Sequence, residues 1–360
     1  MISGKRRRIL GSVSLHHACN DASTVVLPTI FPLLYTQKHL ISSYSDIGTT
    51  ILVGLVTAVI FQAFVGHFAK TRHSRWFLAL DALLVGTSLL LMTRATSYWM
   101  LVVFFIGVRM GTSIYHPVGI SWISKIFAGR DLDKAMGFQS AFGNIGVLVA
   151  FTSTGFLAQH YGWQAPLFLW GALNLAAVGI GLYLSRNPYE KGEIEQQKEE
   201  EKEPISWRTA FHGIRSFIPM MLLGGLAWGI TVNYAPSLLN HRLGVPMSFT
   251  GIIMSCWMAA GTLSAFMYGR VSERLGRART LVYAYIVIMI VSVVFGLGKN
   301  IPLAIAAFAL FGIALFSTYP ANLSFIGSRV ETRHRTAAFS LASNIMIIGN
   351  SIFSFVSGRI

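Results

Sequence analysis

Apolar residues fill long stretches of this chain, and polar residues gather in short intervals between them. Read by run length, the pattern predicts eleven helical spans. Six come first, at about Ile9–Tyr35, Ser45–Ala69, Trp76–Thr93, Tyr98–Ser124, Lys134–Gln159 and Ala165–Ser185. Five follow, at about Ile214–Asn240, Met247–Gly269, Ala278–Leu297, Ile301–Phe325 and Arg335–Val356. Each run approaches or exceeds the roughly twenty residues that an α-helix needs to cross a bilayer. None alternates with the period of two that a barrel strand shows, so the reading is an all-α polytopic membrane protein. One stretch breaks the pattern. Arg186 to His212 carries Glu199, Glu200, Glu201, Lys202 and Glu203, a run that cannot enter lipid. It reads as a charged linker (186–212) between one helical bundle (1–185) and a second (213–360).

Composition agrees with the pattern. Of 360 residues, 53% are hydrophobic and 12% charged, and the mean hydropathy is +0.57. A soluble domain carries about 25% charged residues, too many fewer of which are present here to coat a water-facing surface. The net charge of +15 has two readings. Nucleic-acid binding needs the basic residues on one face. Here they are spread over alternate loops: Lys5–Arg8, then Lys70, Arg72 and Arg75, then Lys125, Arg130 and Lys134, then Arg270–Arg279, then Arg329, Arg333 and Arg335. The opposite loops offer Lys38, Arg94, Arg242 and Lys299. This bias sets orientation, with the N-terminus and linker cytoplasmic in a plasma or inner membrane. Cys19 and Cys256 lie far apart in apolar runs, without the spacing of a metal site or a disulfide framework.

The two bundles repeat. Pro32 corresponds to Pro236, Gly66 to Gly269, Pro117 to Pro320, Phe138 to Phe339 and Asn144 to Asn344. A constant offset predicts a parallel repeat about an axis normal to the membrane, with a site between the halves near mid-depth.

Gly269-Arg270-Val271-Ser272-Glu273-Arg274-Leu275-Gly276-Arg277 resembles the loop signature of the major facilitator superfamily, with Glu273 in place of Asp. The first-half copy, Gly66 to Arg75, is degenerate, since Lys70 replaces its acid. His17-Ala18-Cys19-Asn20-Asp21 and Gly111-Thr112-Ser113-Ile114-Tyr115-His116-Pro117 resemble the fosmidomycin-resistance branch, as do Phe138-Gln139 and Gly143-Asn144. Arg109 stands where that branch has a small residue, and the proline-containing glycine motif of many antiporters is absent from span five. The resemblance implies two pseudo-symmetric six-helix halves and twelve spans. Only eleven are read here, as in a truncated product or a partial chain. It also implies spans one and four facing a central cavity, and a cytoplasmic gate formed by Gly269, Glu273, Arg274, Gly276 and Arg277.

Ionisable groups at bilayer depth cost about 2.5–3.5 kcal/mol each on insertion scales, so they are candidates for function. His17 and Asp21 are four residues apart, on one face of span one. Arg109 and His116 are seven apart, on one face of span four if that helix is continuous. Chain direction then puts Asp21 between them in depth. The predicted substrate and proton-coupling group is His17, Asn20, Asp21, Arg109, Tyr115 and His116, with Asp21 and Arg109 within ion-pair or one-water distance. The bland alternative is a structural Asp–Arg pair with packed histidines. His16 points off this face, and Asp81 is placed near the inner end of span three, reaching the interface. Gln139, Asn144, Trp228, Asn233, Tyr319 and Asn322 are weaker cavity candidates. Pro117 and Pro320 predict bends.

No phosphate-cradling Gly-x-x-x-x-Gly-Lys motif and no His-Glu-x-x-His motif occurs, so nucleotide, metal and cofactor chemistry are not called for. The leading expectation is a monomeric secondary transporter, a proton-coupled antiporter exporting a small amphipathic or anionic compound. Uptake of an organic anion clamped by Arg109 is a second reading, and a non-transporting receptor or assembly subunit a third.

Overall fold

A computed structural model describes residues 4–37, 39–68, 73–127, 129–186, 207–297, 300–330 and 335–359. Seven helices precede the linker: α1 (Gly4–Thr36), α2 (Tyr44–Phe68), α3 (Ser74–Met92), α4 (Tyr98–Thr112), α5 (Tyr115–Ile126), α6 (Gly129–Tyr161) and α7 (Gln164–Leu184). Six follow it: α8 (Trp207–Ile214), α9 (Ile218–Ser237), α10 (Met247–Leu275), α11 (Arg277–Leu297), α12 (Ile301–Arg329) and α13 (Arg335–Ser357). No strand occurs among the described residues.

Nine helical stretches among these residues are long and apolar enough to cross a membrane. Two of the eleven expected spans fall short of that measure. In α1 the run of His16, His17, Asn20, Asp21, Ser23 and Thr24 dilutes the apolar stretch. In α13 the apolar part, Leu341–Ser357, is short.

Three boundaries differ from expectation. Span four is two helices, α4 and α5, separated at Ser113–Ile114. Pro117 has no N–H for the Ser113 carbonyl, so the helical ladder fails one turn before it. α12, by contrast, runs on through Pro320. The signature stretch beginning at Gly269 is the end of α10 rather than a loop, and Gly276, at φ 83°, ends the helix. The positive φ suits a residue without Cβ. The linker's last residues, 207–212, belong to α8, whose Ala210 and Ile214 are buried. Residues 187–206 of the expected linker, and with them Glu199–Glu203, lie outside the described residues.

The helix pairing recurs. α1 packs along α6, and α9 packs along α13 in the same way. α2 lies against α13, α6 against α10, and α1 against α9. One cluster of buried side chains, including Phe31, Phe151, Trp257 and Phe308, joins α1, α2, α6, α9 and α10. α1 reaches α6 closely because Gly143 and Gly146 face it. A Cβ on Gly146 would lie 2.2 Å from the Ala18 carbonyl oxygen, and one on Gly143 2.7 Å from the His17 ring.

Candidate functional site

The break between α4 and α5 sets the site. Ile114 N–H turns back to the Gly111 carbonyl, leaving the Thr112 carbonyl free of its usual partner four residues on. Asn20 of α1 donates its side-chain amide to that carbonyl at 3.1 Å. The restarted helix α5 then presents Tyr115 and His116 to α1.

There, three titratable groups meet. Asp21 Oδ2 lies 3.0 Å from His17 Nε2, and Asp21 Oδ1 lies 3.4 Å from His116 Nε2. The His17 side chain is 7% exposed, that of Asp21 22% and that of His116 48%, so the group opens toward His116. The Tyr115 ring stacks on His17, centroids 4.3 Å apart and planes 17° from parallel. Tyr115 O–H donates to Gln139 Oε1 at 2.8 Å. The His17 ring is thereby held between α5 and the bare backbone at Gly143.

The far nitrogen of His17 decides the chemistry. Nδ1 is 2.8 Å from the main-chain carbonyl of Gln139, which only accepts, so Nδ1 carries a hydrogen and donates it. A neutral imidazole then has a bare Nε2, facing a carboxylate oxygen at 3.0 Å. Two acceptors do not attract. The contact therefore implies one additional proton, on His17 or on Asp21, or a cation between them.

The expected group assembles in part. His17, Asp21, Tyr115, His116 and, as the partner of two of them, Gln139 come together. Arg109 forms no direct ion pair with Asp21: among the described residues Asp21 has only the two imidazoles within ion-pair distance. The helical ladder is interrupted at Ser113–Ile114, between Arg109 and His116, although both junction residues keep helical dihedrals. The Arg109 stem instead packs over Gly54 of α2, and its buried Nε has no hydrogen-bond partner. Asn20 is a brace. It is 1% exposed and also donates to Asp81 at 3.4 Å. Asp81 does not reach the interface; it is 1% exposed, in the middle of the bundle. Its place near the end of an apolar run gave no sign of that. His16 is buried against α7, where its Nε2 occupies the space a Cβ on Gly181 would need.

The weaker candidates divide. Asn144 is half-buried on α6. Trp228 sits in an aromatic cluster with Trp257 and Phe316 rather than standing alone in an opening. Asn233 is buried and ties α9 to α13, donating to Ser354 Oγ at 3.1 Å and Asn350 Oδ1 at 3.3 Å. Asn322 is buried in α12. The side chains of Tyr319 and, at the expected gate, Arg277 lie outside the described residues, as do the surroundings of Gly269. Glu273, Arg274 and Gly276 are exposed, and among the described residues Glu273 forms no ion pair.

The ends of α1 and α2 away from the basic loops are shut against the second bundle. His241 Nε2 meets the Pro32 carbonyl at 3.0 Å, and its Nδ1 meets Tyr44 O–H at 3.1 Å. Ser248 N–H donates to Gln159 Oε1 at 2.8 Å, and Thr152 and Ser255 hydroxyls are 2.6 Å apart. Nothing in the sequence spacing marked these contacts, because each joins residues about 90 or more positions apart. A cavity of about 570 Å³, lined by Thr231, Tyr234, His241, Phe295, Phe308 and Phe311, lies beside this closure.

A family model described as Major Facilitator Superfamily matches residues 13–354. A Haemophilus influenzae protein described as a metabolite transport protein is 22% identical over 85% of this chain and 76% of its own length. The fosmidomycin resistance protein of Escherichia coli is 26% identical over 138 residues, 38% of this chain and 33% of that relative. Among solved structures, a bacterial homologue of the human lysosomal transporter Spinster, inward-facing and unoccupied, superposes with TM-score 0.79. It is 17% identical, covering 99% of this chain and 82% of that one, and supports the fold alone.

Proposed function

The chain belongs to the Major Facilitator Superfamily, a multi-pass membrane transporter of metabolite or drug-resistance type, and on that premise we propose that it is a proton-linked exporter of a small amphipathic or anionic compound. The observation that carries the reading is the His17–Asp21–His116 group. Its contacts call for a positive charge beyond neutral imidazole and bare carboxylate, which a proton supplies in this reading, and it opens through His116.

Alternating access supplies the cycle. The bias of basic residues toward one set of loops supports a cytoplasmic N-terminus and linker in an inner or plasma membrane. The halves are shut at the opposite side by His241, Tyr44 and Gln159. Glu273 and Arg274 are exposed on the basic side. Closure on that side and exposure on the basic side support an inward-open arrangement that takes its solute from the cytoplasm. Binding there is coupled to release of the shared proton, and a proton arriving from outside resets the group. In the outward-open state Glu273 engages a basic partner and latches the cytoplasmic side. The protein works as a single chain. The name of the Escherichia coli relative, a resistance protein, favours export.

Uptake of an organic anion is the second reading. It is favoured by Arg109, a half-buried residue with no carboxylate within 4 Å among the described residues and a guanidinium suited to a two-pronged anion contact.

The test is transport in proteoliposomes with an imposed pH gradient. Asp21→Asn should abolish accumulation against a gradient while downhill exchange of the same solute continues. Gradient-driven accumulation by Asp21→Asn at the wild-type level would overturn the proton role.

A further inference from the structure

Two imidazoles and a carboxylate whose ligand atoms all lie within 4.8 Å of one another describe more than a proton site. Tetrahedral coordination with bonds of about 2.0–2.1 Å spaces neighbouring ligand atoms roughly 3.3 Å apart. Each imidazole faces its own Asp21 oxygen, His17 Nε2 at 3.0 Å from Oδ2 and His116 Nε2 at 3.4 Å from Oδ1, so small ring rotations bring both nitrogens and one carboxylate oxygen to that spacing. We propose that His17 Nε2, Asp21 and His116 Nε2 bind one late first-row divalent metal ion, of the Zn²⁺ class.

Three features favour this over a chance cluster. The other nitrogen of a metal-bound imidazole donates to a carbonyl or carboxylate, which fixes ring and tautomer. His17 has that arrangement already, Nδ1–H to the Gln139 carbonyl, so its lone pair points at the carboxylate. The ring is clamped by Tyr115 on one side and by the backbone at Gly143 on the other, so the ligand is set before the ion arrives. And the unfavourable approach of Nε2 to a carboxylate oxygen is relieved by a cation as well as by a proton.

The donor set selects the metal class. Imidazole suits Zn²⁺, Cu²⁺, Fe²⁺ and Ni²⁺, whereas Ca²⁺ and Mg²⁺ require more oxygen ligands than one carboxylate supplies. Three protein ligands leave a fourth position open. It faces the side where His116 is 48% exposed, so water or a donor atom of the carried solute completes the shell. The ion takes the place of the shared proton and arrests the carrier at this step. In that regulatory consequence the inference rests on the proposed transport role; the binding itself does not.

The experiment is calorimetric titration of the purified full chain with Zn²⁺ after chelator treatment, with Co²⁺ absorption as a spectroscopic report of imidazole coordination. One ion per chain should bind, with the visible Co²⁺ bands of a low-coordinate nitrogen and oxygen site. His116→Ala, which removes a half-exposed side chain and spares the packed core, should weaken binding at least about tenfold, as should Asp21→Asn. Removing the exposed His160 or His212 should leave it unchanged. Absence of one-per-chain binding, or binding that survives His116→Ala, would overturn the proposal. Solute transport measured in excess chelator separates the two ideas. Gradient-driven transport without metal binding leaves the proton role standing, and metal binding without gradient-driven transport leaves the metal site standing.

Discussion

The paired helices α1–α6 and α9–α13 occupy corresponding places in the two bundles and are packed by the same device. Gly143 and Gly146 let α6 approach His17 and Ala18. Gly225 and Gly229 let α9 approach the Met346 carbonyl and Asn350. Their polar contents differ. Between α9 and α13 the groups are neutral and serve one another: Asn233 donates to Ser354 and Asn350, and Tyr234 O–H donates to the Ser354 carbonyl at 2.6 Å. Between α1 and α6, with α5, the groups are ionisable, partly exposed, and one proton short of closed when neutral. Equivalent packing thus supports two different tasks. One seam holds its bundle together, and the other has a reason to exchange something with its surroundings.

The shared part of the comparison predicts the largest effects. Gly146→Val and Gly225→Val each force a branched side chain against a main-chain carbonyl. Each should cost on the order of 3 kcal/mol or more and sharply reduce folded protein, read by detergent thermal melts and size-exclusion yield. Normal yield from either would remove the close-packed seam from the account.

The differing part comes next. Asn233→Ala should lower stability by about 1–3 kcal/mol, because Ser354 Oγ loses its donor and Asn350 Oδ1 keeps only the one from Ser354. Its residual transport should keep the wild-type dependence on the pH gradient. His116→Gln should do the reverse, with melting near wild type and gradient-driven transport slowed by roughly tenfold or more, the scale of one hydrogen bond to a charged group. If Asn233→Ala altered proton dependence while His116→Gln did not, the division of tasks between the seams would be wrong.

The smallest effect belongs to the α10 end. Glu273 is exposed, and exposed ion pairs contribute about 0.2–1 kcal/mol, so Glu273→Gln should shift the inward–outward balance no more than about fivefold. Cysteine accessibility at the two mouths reads this. No shift at either mouth would count against a latch.

How much of this was legible in the sequence follows from what each inference rested on. Run length and local spacing succeeded: the long helices, and His17 with Asp21 one turn later, depend on nothing beyond the helix period. The arrival of His116 beside them followed from chain direction. Arg109 forms no ion pair with Asp21, and its stem packs over Gly54 of α2, a contact that helix spacing does not reveal. Asp81 failed because position along an apolar run does not reveal that Asn20 waits for it across the bundle. Asn233 looked like a cavity residue for the same reason; its partners lie 117 and 121 residues away. The closure by His241 and Tyr44 depends on docking between the bundles, which has no local sequence signal.

The central claim is that the α1–α6 seam carries an exchangeable proton linked to the solute. It is tested most directly by counting protons released when a transported solute binds the purified protein in weakly buffered solution. The account predicts about one proton released per solute in the wild type and in Asn233→Ala, and none in Asp21→Asn. An unchanged count in Asp21→Asn, with solute still bound, would contradict it.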